Sequence, residues 1–146
     1  MKKTIIMSLV TLVSLLSVGC NDKLDVQQMY EFSVSTMPLQ KKIKVCETVE
    51  IRCQLNRIGR YEDAKYYIDY FQSEGRGVLQ NGNRDILVSN DSYQLESETF
   101  SLYYTSYCED QQIIDISIHD NFNQEYKLNI SFENNENDPY PQLINE

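Results

Sequence analysis

The side chains of this sequence best suited to chemistry are four cysteines and a single histidine. A nucleophile activated by histidine would have to use His119, which sits in the stretch IHDN, and the sequence has no serine elbow or reactive-cysteine signature. A zinc site needs several Cys or His ligands at a recognisable spacing, and a phosphate site needs a glycine-rich loop; neither pattern is present. We therefore expect a protein that is not an enzyme, with no metal site and no cofactor.

Cys20 differs from the other cysteines because of what precedes it. A positive start, KK, is followed at residues 4–16 by an uncharged and largely apolar stretch, which is typical of a secretory signal peptide. This stretch has 13 residues, whereas a permanent membrane span needs about 20. With Gly19 before the cysteine, LLSVGC resembles a bacterial lipobox, although Ser17 stands where leucine is usual. We predict a lipoprotein signal peptide at residues 1–19 and lipidation of Cys20, with ordinary signal cleavage or a retained helix as alternatives.

The charge of the chain argues against nucleic acid as a direct partner. The full sequence has 13 basic and 22 acidic residues and a formal charge of −9. The leader carries two lysines and no acid, so the remaining 11 basic and 22 acidic residues give −11. Such a surface repels phosphate backbones, and no basic stripe offsets it.

Apolar and polar residues alternate with period 2 along much of the remaining chain, which predicts β-strands. The clearest case is ETVEIRCQL, where Val49, Ile51, Cys53 and Leu55 share one face. The stretches KYYIDYFQ, TFSLYYTS, IIDISIHD and EYKLNISF are also typical of strands, being rich in aromatic and β-branched residues. The run VLQNGNRDILV predicts two short strands around the turn dipeptide Asn81-Gly82.

Short strands separated by frequent turn signals predict an all-β fold: an immunoglobulin-like, fibronectin-type β-sandwich of about seven to eight antiparallel strands. The antibody-type hallmark is missing, because the chain has no Trp and no Cys on the penultimate strand. We place the lipidated cysteine and a tether at residues 20–28, the sandwich at residues 29–133, and an acidic flexible tail at residues 134–146.

The three cysteines of the predicted sandwich allow one disulfide and one free thiol, in three pairings. Cys53 is the most core-like of them by its place in the alternation. Cys46 and Cys108 lie in turns that an immunoglobulin-like order brings to the same end, where they can meet. We predict a possible Cys46–Cys108 disulfide, with no bridge or another pairing as the open alternatives.

Tyrosines are dense on two predicted strands, and most of them are expected to pack inside or across strands. Tyr66 and Tyr70 share a face with Ile68, so Tyr67 points to the other side. Tyr103 likewise points away from its buried neighbours. Tyr67 and Tyr103 are therefore the predicted candidate interaction surface.

Several stretches resemble the TraQ family of conjugal-transfer lipoproteins from Bacteroides-type conjugative transposons. They include YEFSVSTMPLQKKIKVCETVEIRCQLNRIGRY, YYIDYFQSEGRGVL, LVSNDSYQLESETFSLYYTS and DQQIIDISIHDNFNQEYKLNISF, and together span nearly the whole mature domain. The resemblance implies an immunoglobulin-like fold and a role beside a type IV-like mating apparatus, and it supplies no catalytic residue. Members of the family have other residues where Cys46 and Cys108 stand, and their joint presence favours the predicted bridge.

Two functions follow as expectations. The first is a non-catalytic, membrane-anchored lipoprotein that acts as an accessory or scaffolding component of the conjugative transfer apparatus. Its partners would be a membrane, through the lipid anchor, and other envelope proteins of the apparatus, and it would lie in the cell envelope. The second is a surface adhesin or glycan-binding module that uses exposed tyrosines.

Overall fold

The computed structural model describes residues 30–59 and 62–135. The predicted signal peptide, Cys20 and the tether lie outside these residues, as does the predicted tail from residue 136 onward. The described residues form nine strands and no helix. They are β1 (Phe32–Thr36), β2 (Lys42–Ile43), β3 (Thr48–Arg57), β4 (Tyr66–Glu74), β5 (Gly77–Gln80), β6 (Tyr93–Leu95), β7 (Thr99–Ser106), β8 (Gln112–Asp120) and β9 (Glu125–Asn134).

The strands build two sheets, which confirms the all-β class. The first sheet has the order β1-β3-β7-β5 and the second has the order β2-β9-β8-β4-β6. One pairing differs from the predicted antiparallel arrangement: β2 runs parallel to β9, with Lys42 opposite Glu133. Between β1 in the first sheet and β2 at the edge of the second sheet, the chain passes through Pro38.

The two sheets share one hydrophobic core, and the alternation read from the sequence predicts which residues enter it. Val49, Ile51, Cys53 and Leu55 are all buried, whereas their neighbours in β3 are half-buried or exposed. Inward residues of β4, β8 and β9 complete the core from the other sheet. The aliphatic and aromatic surface removed from water here is the main term that stabilises the fold.

The core contains a buried polar network centred on Tyr104 of β7. The Tyr104 ring is fully buried and stacks on Phe132 at 5.6 Å between centroids. Its hydroxyl donates to Gln112 Oε1 and accepts from Gln72 Nε2 at 2.8 Å. Gln112 Nε2 in turn donates to Ser106 Oγ at 2.5 Å. Burial without these partners would be costly, so the network fixes how β4, β7 and β8 pack.

One turn and one strand end differ in detail from the sequence expectation. The loop after β5 is not a two-residue turn at Asn81-Gly82; it spans Asn81 to Asp85, and Arg84 takes the left-handed conformation with φ 70°. Asn81 Oδ1 closes this loop by accepting the backbone N–H groups of Asn83 at 3.0 Å and Asp85 at 2.9 Å. At the end of the sandwich, β9 continues to Asn134, one residue past the predicted boundary.

Candidate interaction surfaces

Tyr67 lies on the outer face of the second sheet, as predicted, and is half-buried. The pairing of β4 with β8 sets Tyr67 opposite His119, and the two rings stack at 5.5 Å between centroids and 18° between planes. The sequence could not indicate this contact, because it depends on the register between two strands about 50 residues apart.

His119 also joins two side chains that the sequence analysis did not single out. Its Nδ1 lies 3.1 Å from Asp69 Oδ2, and its Nε2 lies 3.5 Å from Ser92 Oγ. This Ser–His–Asp order is the one used by hydrolases, but the Ser92 contact is at the limit of a hydrogen bond. The side chains of His119 and Asp69 are 35 % and 34 % exposed on an outer sheet face. The arrangement is therefore a stack of two rings on the sheet surface, in which the Asp69 carboxylate lies beside Nδ1 and orients the imidazole against Tyr67.

Tyr103 lies on the outer face of the first sheet, where it is also half-buried. Its hydroxyl donates to Glu50 Oε1 at 3.3 Å, and the Arg84 guanidinium covers its ring at 3.4 Å from the centroid. Glu50 also accepts from Arg52 and from Ser101 Oγ, each at 2.9 Å. These hydrogen bonds, that of Arg52 first, lower the pKa of Glu50 below its ordinary value.

The structure separates the two predicted interaction residues. Tyr67 belongs to β4 in the second sheet, and Tyr103 belongs to β7 in the first sheet. Each points away from the shared core, so they face opposite directions and do not form one surface. Alternation shows whether a residue points inward, but it does not show which sheet the strand joins.

A cleft of about 480 Å³ lies beside Tyr103. The loop after β5 forms one wall, the end of β6 and the residues after it form the other, and the first half of β7 forms the floor. Most of the lining side chains are polar. They include Asn81, Gln94, Glu96, Ser97, Thr99 and Ser101.

The predicted Cys46–Cys108 bridge is not formed in the structure, where Cys46, Cys53 and Cys108 are all free thiols. The expected proximity of the two turns is present, because the Cys46 backbone N–H donates to Ser106 O at 2.8 Å. The side chains, however, have separate environments. Cys46 is exposed, whereas Cys108 is buried with its Sγ accepting the Arg76 backbone N–H at 3.0 Å. The bridge stays a prediction, which peptide mapping of protein recovered from cells without reductant would test.

Two further searches were confined to the described residues. No group of three or more His, Cys, Asp or Glu side chains among them is placed to hold a metal ion. They also contain no helix with the length and hydropathy needed to cross a bilayer.

Comparisons with known proteins identify relatives of this chain. Residues 3–135 match the family of TraQ conjugal transfer proteins. A conjugative transposon lipoprotein from Bacteroides eggerthii has a similar crystal structure, with 39 % identity, a TM-score of 0.67, and coverage of 71 % of this chain and 98 % of that one. Curated protein sequences give no match.

Two solution structures are also similar. A lipoprotein from Bacteroides thetaiotaomicron is 48 % identical, with a TM-score of 0.68 and coverage of 86 % of this chain and 97 % of that one. A conjugate transposon protein from Bacteroides vulgatus is 34 % identical, with a TM-score of 0.65 and coverage of 83 % and 98 %. The family match covers most of the sequence, and the identities exceed what a shared fold alone would give. This chain therefore belongs to the TraQ conjugal transfer protein family.

Proposed function

We propose that this protein is a lipid-anchored, non-catalytic accessory component of a conjugative transfer apparatus in the cell envelope. The observation that carries the proposal is the family match over residues 3–135. It is supported by similar structures that belong to a conjugative transposon lipoprotein and a conjugate transposon protein.

The strand order supports an immunoglobulin-like domain in this role. Taking β1, β3, β4, β5, β7, β8 and β9 as strands A to G, the first sheet has the order A-B-E-D and the second contains G-F-C. The strand orders A-B-E-D and G-F-C are also those of a constant-type immunoglobulin domain, and this agreement supports our proposal of an immunoglobulin-like fold. In our proposal β2 and β6 are additions at the two edges of the second sheet. Domains of this kind bind other proteins through their edges and faces, which suits a scaffolding component.

The places where the chain enters and leaves the domain suit an anchored protein. Phe32 at the start of β1 pairs with Arg57 at the end of β3, and Gln54 nearby pairs with Thr99 at the start of β7. Phe132 near the end of β9 pairs with Gln112 at the start of β8, beyond the other end of β7. The chain therefore enters the domain at one end, before β1, and leaves it at the other, after β9. A diacylated and N-acylated cysteine would hold the protein firmly, because each buried CH₂ contributes about 0.8 kcal/mol.

The glycan-binding alternative receives less support from the geometry. Sugar recognition commonly uses an aromatic ring face that is open to the ligand. The Tyr67 ring already stacks on His119, and the Tyr103 ring is covered by Arg84.

A quantitative mating assay with a clean deletion of the coding sequence tests the proposal. We expect transfer of the conjugative element to fall and the wild-type gene supplied in trans to restore it. Growth and adhesion of the donor should be unchanged. Normal transfer combined with lost binding to a polysaccharide would replace the proposal with the adhesin alternative.

A further inference from the structure

A large aromatic side chain is open to solvent on the outer face of the second sheet. The residues of β4 alternate in direction, and those that point outward include Tyr67, Asp69 and Phe71. Tyr67 is half-buried, and its ring already stacks on His119. Phe71 lies two positions beyond Asp69 and is 51 % exposed. The ring that this face offers to a partner is therefore Phe71 rather than the predicted Tyr67.

The pairing of β4 with β8 places an acidic and an apolar neighbour beside Phe71. Asp115 lies directly opposite Phe71, and Ile113 is the outward residue two positions before Asp115. Ile113 is half-buried, and a diagonal neighbour of this kind is within reach of an aromatic ring. Phe71 and Ile113 therefore form a small apolar centre, with the carboxylate of Asp69 along the strand and that of Asp115 across it.

On the side away from β8, a segment at residues 88–91 runs beside β4. Tyr70 O accepts the Asn90 backbone N–H at 2.9 Å and the Ser89 hydroxyl at 3.3 Å. The backbone edge of β4 is covered here, so a partner would meet this sheet by its face and not by its edge. The segment ends at Asp91, which is exposed, and it contains no basic residue.

No lysine or arginine of the described residues pairs with the two carboxylates nearest Phe71. His119 Nδ1 lies 3.1 Å from Asp69 Oδ2, where a neutral imidazole donates without cancelling the charge. Asp115 Oδ1 accepts from Asn129 Nδ2 at 2.7 Å, and this donor is also neutral. Both carboxylates therefore keep their negative charge beside an exposed ring.

The basic residues closest in sequence or on the same strands lie elsewhere. Lys127 Nζ is 3.2 Å from the carboxylate of Glu125, at the start of β9. Lys42 lies opposite Glu133, and β9 and β8 separate its strand from β4. Arg76 follows the end of β4, in the turn to the first sheet. The surroundings of the exposed ring are therefore acidic.

This charge discriminates between the surfaces that could cover the ring. A second copy of the chain would set the same carboxylates against each other across a two-fold axis. The residues after Asn135 include Glu136, Asp138 and Glu146, so this segment would also be repelled. An anionic membrane surface would be repelled for the same reason. A partner that presents a cationic side chain is attracted.

The arrangement suits arginine better than lysine. A guanidinium stacks flat on an aromatic ring and donates two parallel hydrogen bonds to a carboxylate, whereas an ammonium group is a compact point charge. Phe71 and Asp115 present a ring and a carboxylate side by side on adjacent strands. The first sheet contains a contact of this kind within the chain, because Arg84 covers the ring of Tyr103.

We propose that the outer face of the second sheet binds a partner protein through an arginine of that partner, which stacks on Phe71 and pairs with Asp115. Aromatic residues and arginine are the side chains most enriched at the centres of protein interfaces. The inference goes beyond the transfer role and does not rest on it, because binding alone tests it.

The experiment pans a display library of random peptides on the purified protein and measures how the selected peptides bind four variants. Phe71→Ser removes the ring and Asp115→Asn removes the charge, and both residues are exposed. Ile58→Ser is the matched apolar control, since Ile58 is 69 % exposed just after β3 of the first sheet. Glu96→Gln is the matched charge control, since Glu96 is exposed beyond β6. We expect at least about tenfold weaker binding to Phe71→Ser and to Asp115→Asn, and normal binding to both controls. Urea denaturation confirms that all four variants are folded.

Two further measurements identify the contact. Replacing the arginine of a selected peptide by citrulline, its uncharged isostere, or by lysine should weaken binding to the wild type. Added salt should also weaken this binding, and less so in Asp115→Asn. The proposal is overturned if no selected peptide discriminates against Phe71→Ser, or if citrulline replaces arginine without loss. It is also overturned if Phe71→Ser abolishes self-association in sedimentation velocity or the binding of a neutral polysaccharide, instead of the binding of a peptide.

Discussion

The two halves of β7 share one strand but have different surroundings. The second half, from Tyr103 to Ser106, is paired on both edges, and Tyr104 holds the centre of the buried polar network. The first half, from Thr99 to Leu102, is paired on one edge and borders a polar cleft on the other. The closed half, from Tyr103 to Ser106, has the contacts that hold the two sheets together, and the open half, from Thr99 to Leu102, lines part of the cleft.

This difference indicates that the tolerance to added side chains changes along a single strand. A side chain added in the closed half must displace a packed ring or break a hydrogen bond, which is costly in a close-packed core. A side chain added in the open half meets only the edge of a cleft. The predictions below are ordered by the size of the expected effect.

The largest effect is expected at Gly77, which lies against the closed half. A Cβ atom there would overlap the ring and hydroxyl of Tyr104 and the carbonyl of Thr105. We expect Gly77→Ala to lower the free energy of unfolding by at least about 2 kcal/mol, because overpacking forces these groups apart. The matched control Gly82→Ala should change it by less than about 0.5 kcal/mol. Equal urea denaturation curves for the two variants would contradict the comparison.

The next effect concerns the hydroxyl at the centre of the network. Tyr104→Phe leaves Gln112 Oε1 without its donor and Gln72 Nε2 without its acceptor. We expect the free energy of unfolding to fall by about 1–3 kcal/mol, which is the cost of leaving buried polar groups unsatisfied. Tyr103→Phe is the control on the same strand, since its hydroxyl bonds to Glu50 on the outer face. If Tyr103→Phe lowered the free energy of unfolding as much as Tyr104→Phe, burial would not determine how much the network contributes to stability.

Alkaline pH should weaken the hydrophobic core. Burial raises the pKa of Tyr104 from 10.0 to about 12, and that of Cys53 from 9.0 to about 12. The folded protein holds these protons more tightly than the unfolded chain, so their contribution is complete below the unfolded values. It is lost as the pH rises through the folded values. The free energy of unfolding should fall between about pH 9 and pH 12, and less steeply in Tyr104→Phe. Stability that rises over this range would contradict the assignment.

The labelling rates of the three cysteines test the difference between buried and exposed residues without changing the stability of the protein. Cys53 and Cys108 are 2 % and 7 % exposed, whereas Cys46 is exposed. In a reduced Cys20→Ala form, a maleimide should label Cys46 rapidly and the other two only as fast as the protein opens. Cys46→Ser should abolish the rapid phase. Two rapid labelling phases in the reduced Cys20→Ala protein would show that one of the two buried thiols is more accessible than the fold allows.

Much of the fold can be predicted from alternation, because each strand of a two-sheet protein has one face in the core. The burial of Val49, Ile51, Cys53 and Leu55 follows directly from their period-2 spacing. The parallel pairing of β2 with β9 does not, since two residues are too few to show a pattern and their partner lies about 90 residues away.

The interaction surfaces are harder to predict than the core. The sequence placed Tyr67 and Tyr103 on outer faces, but only the sheet order shows that those faces are opposite. The cleft is invisible to periodicity, because it depends on where β5 stops along β7. Asn81 gives a partial signal for the loop that follows β5, since Asn favours turns, but it does not indicate where along β7 the cleft forms.

The central claim is that this protein serves conjugative transfer as a lipid-anchored domain. The most direct test is the transfer frequency of a deletion donor that expresses either the wild-type protein or the Cys20→Ala variant at matched levels. We expect the wild type to restore transfer and Cys20→Ala to fail, with Ser17→Leu, which matches the usual lipobox, restoring it as the control. Full restoration by a Cys20→Ala protein that carries no lipid would contradict the claim.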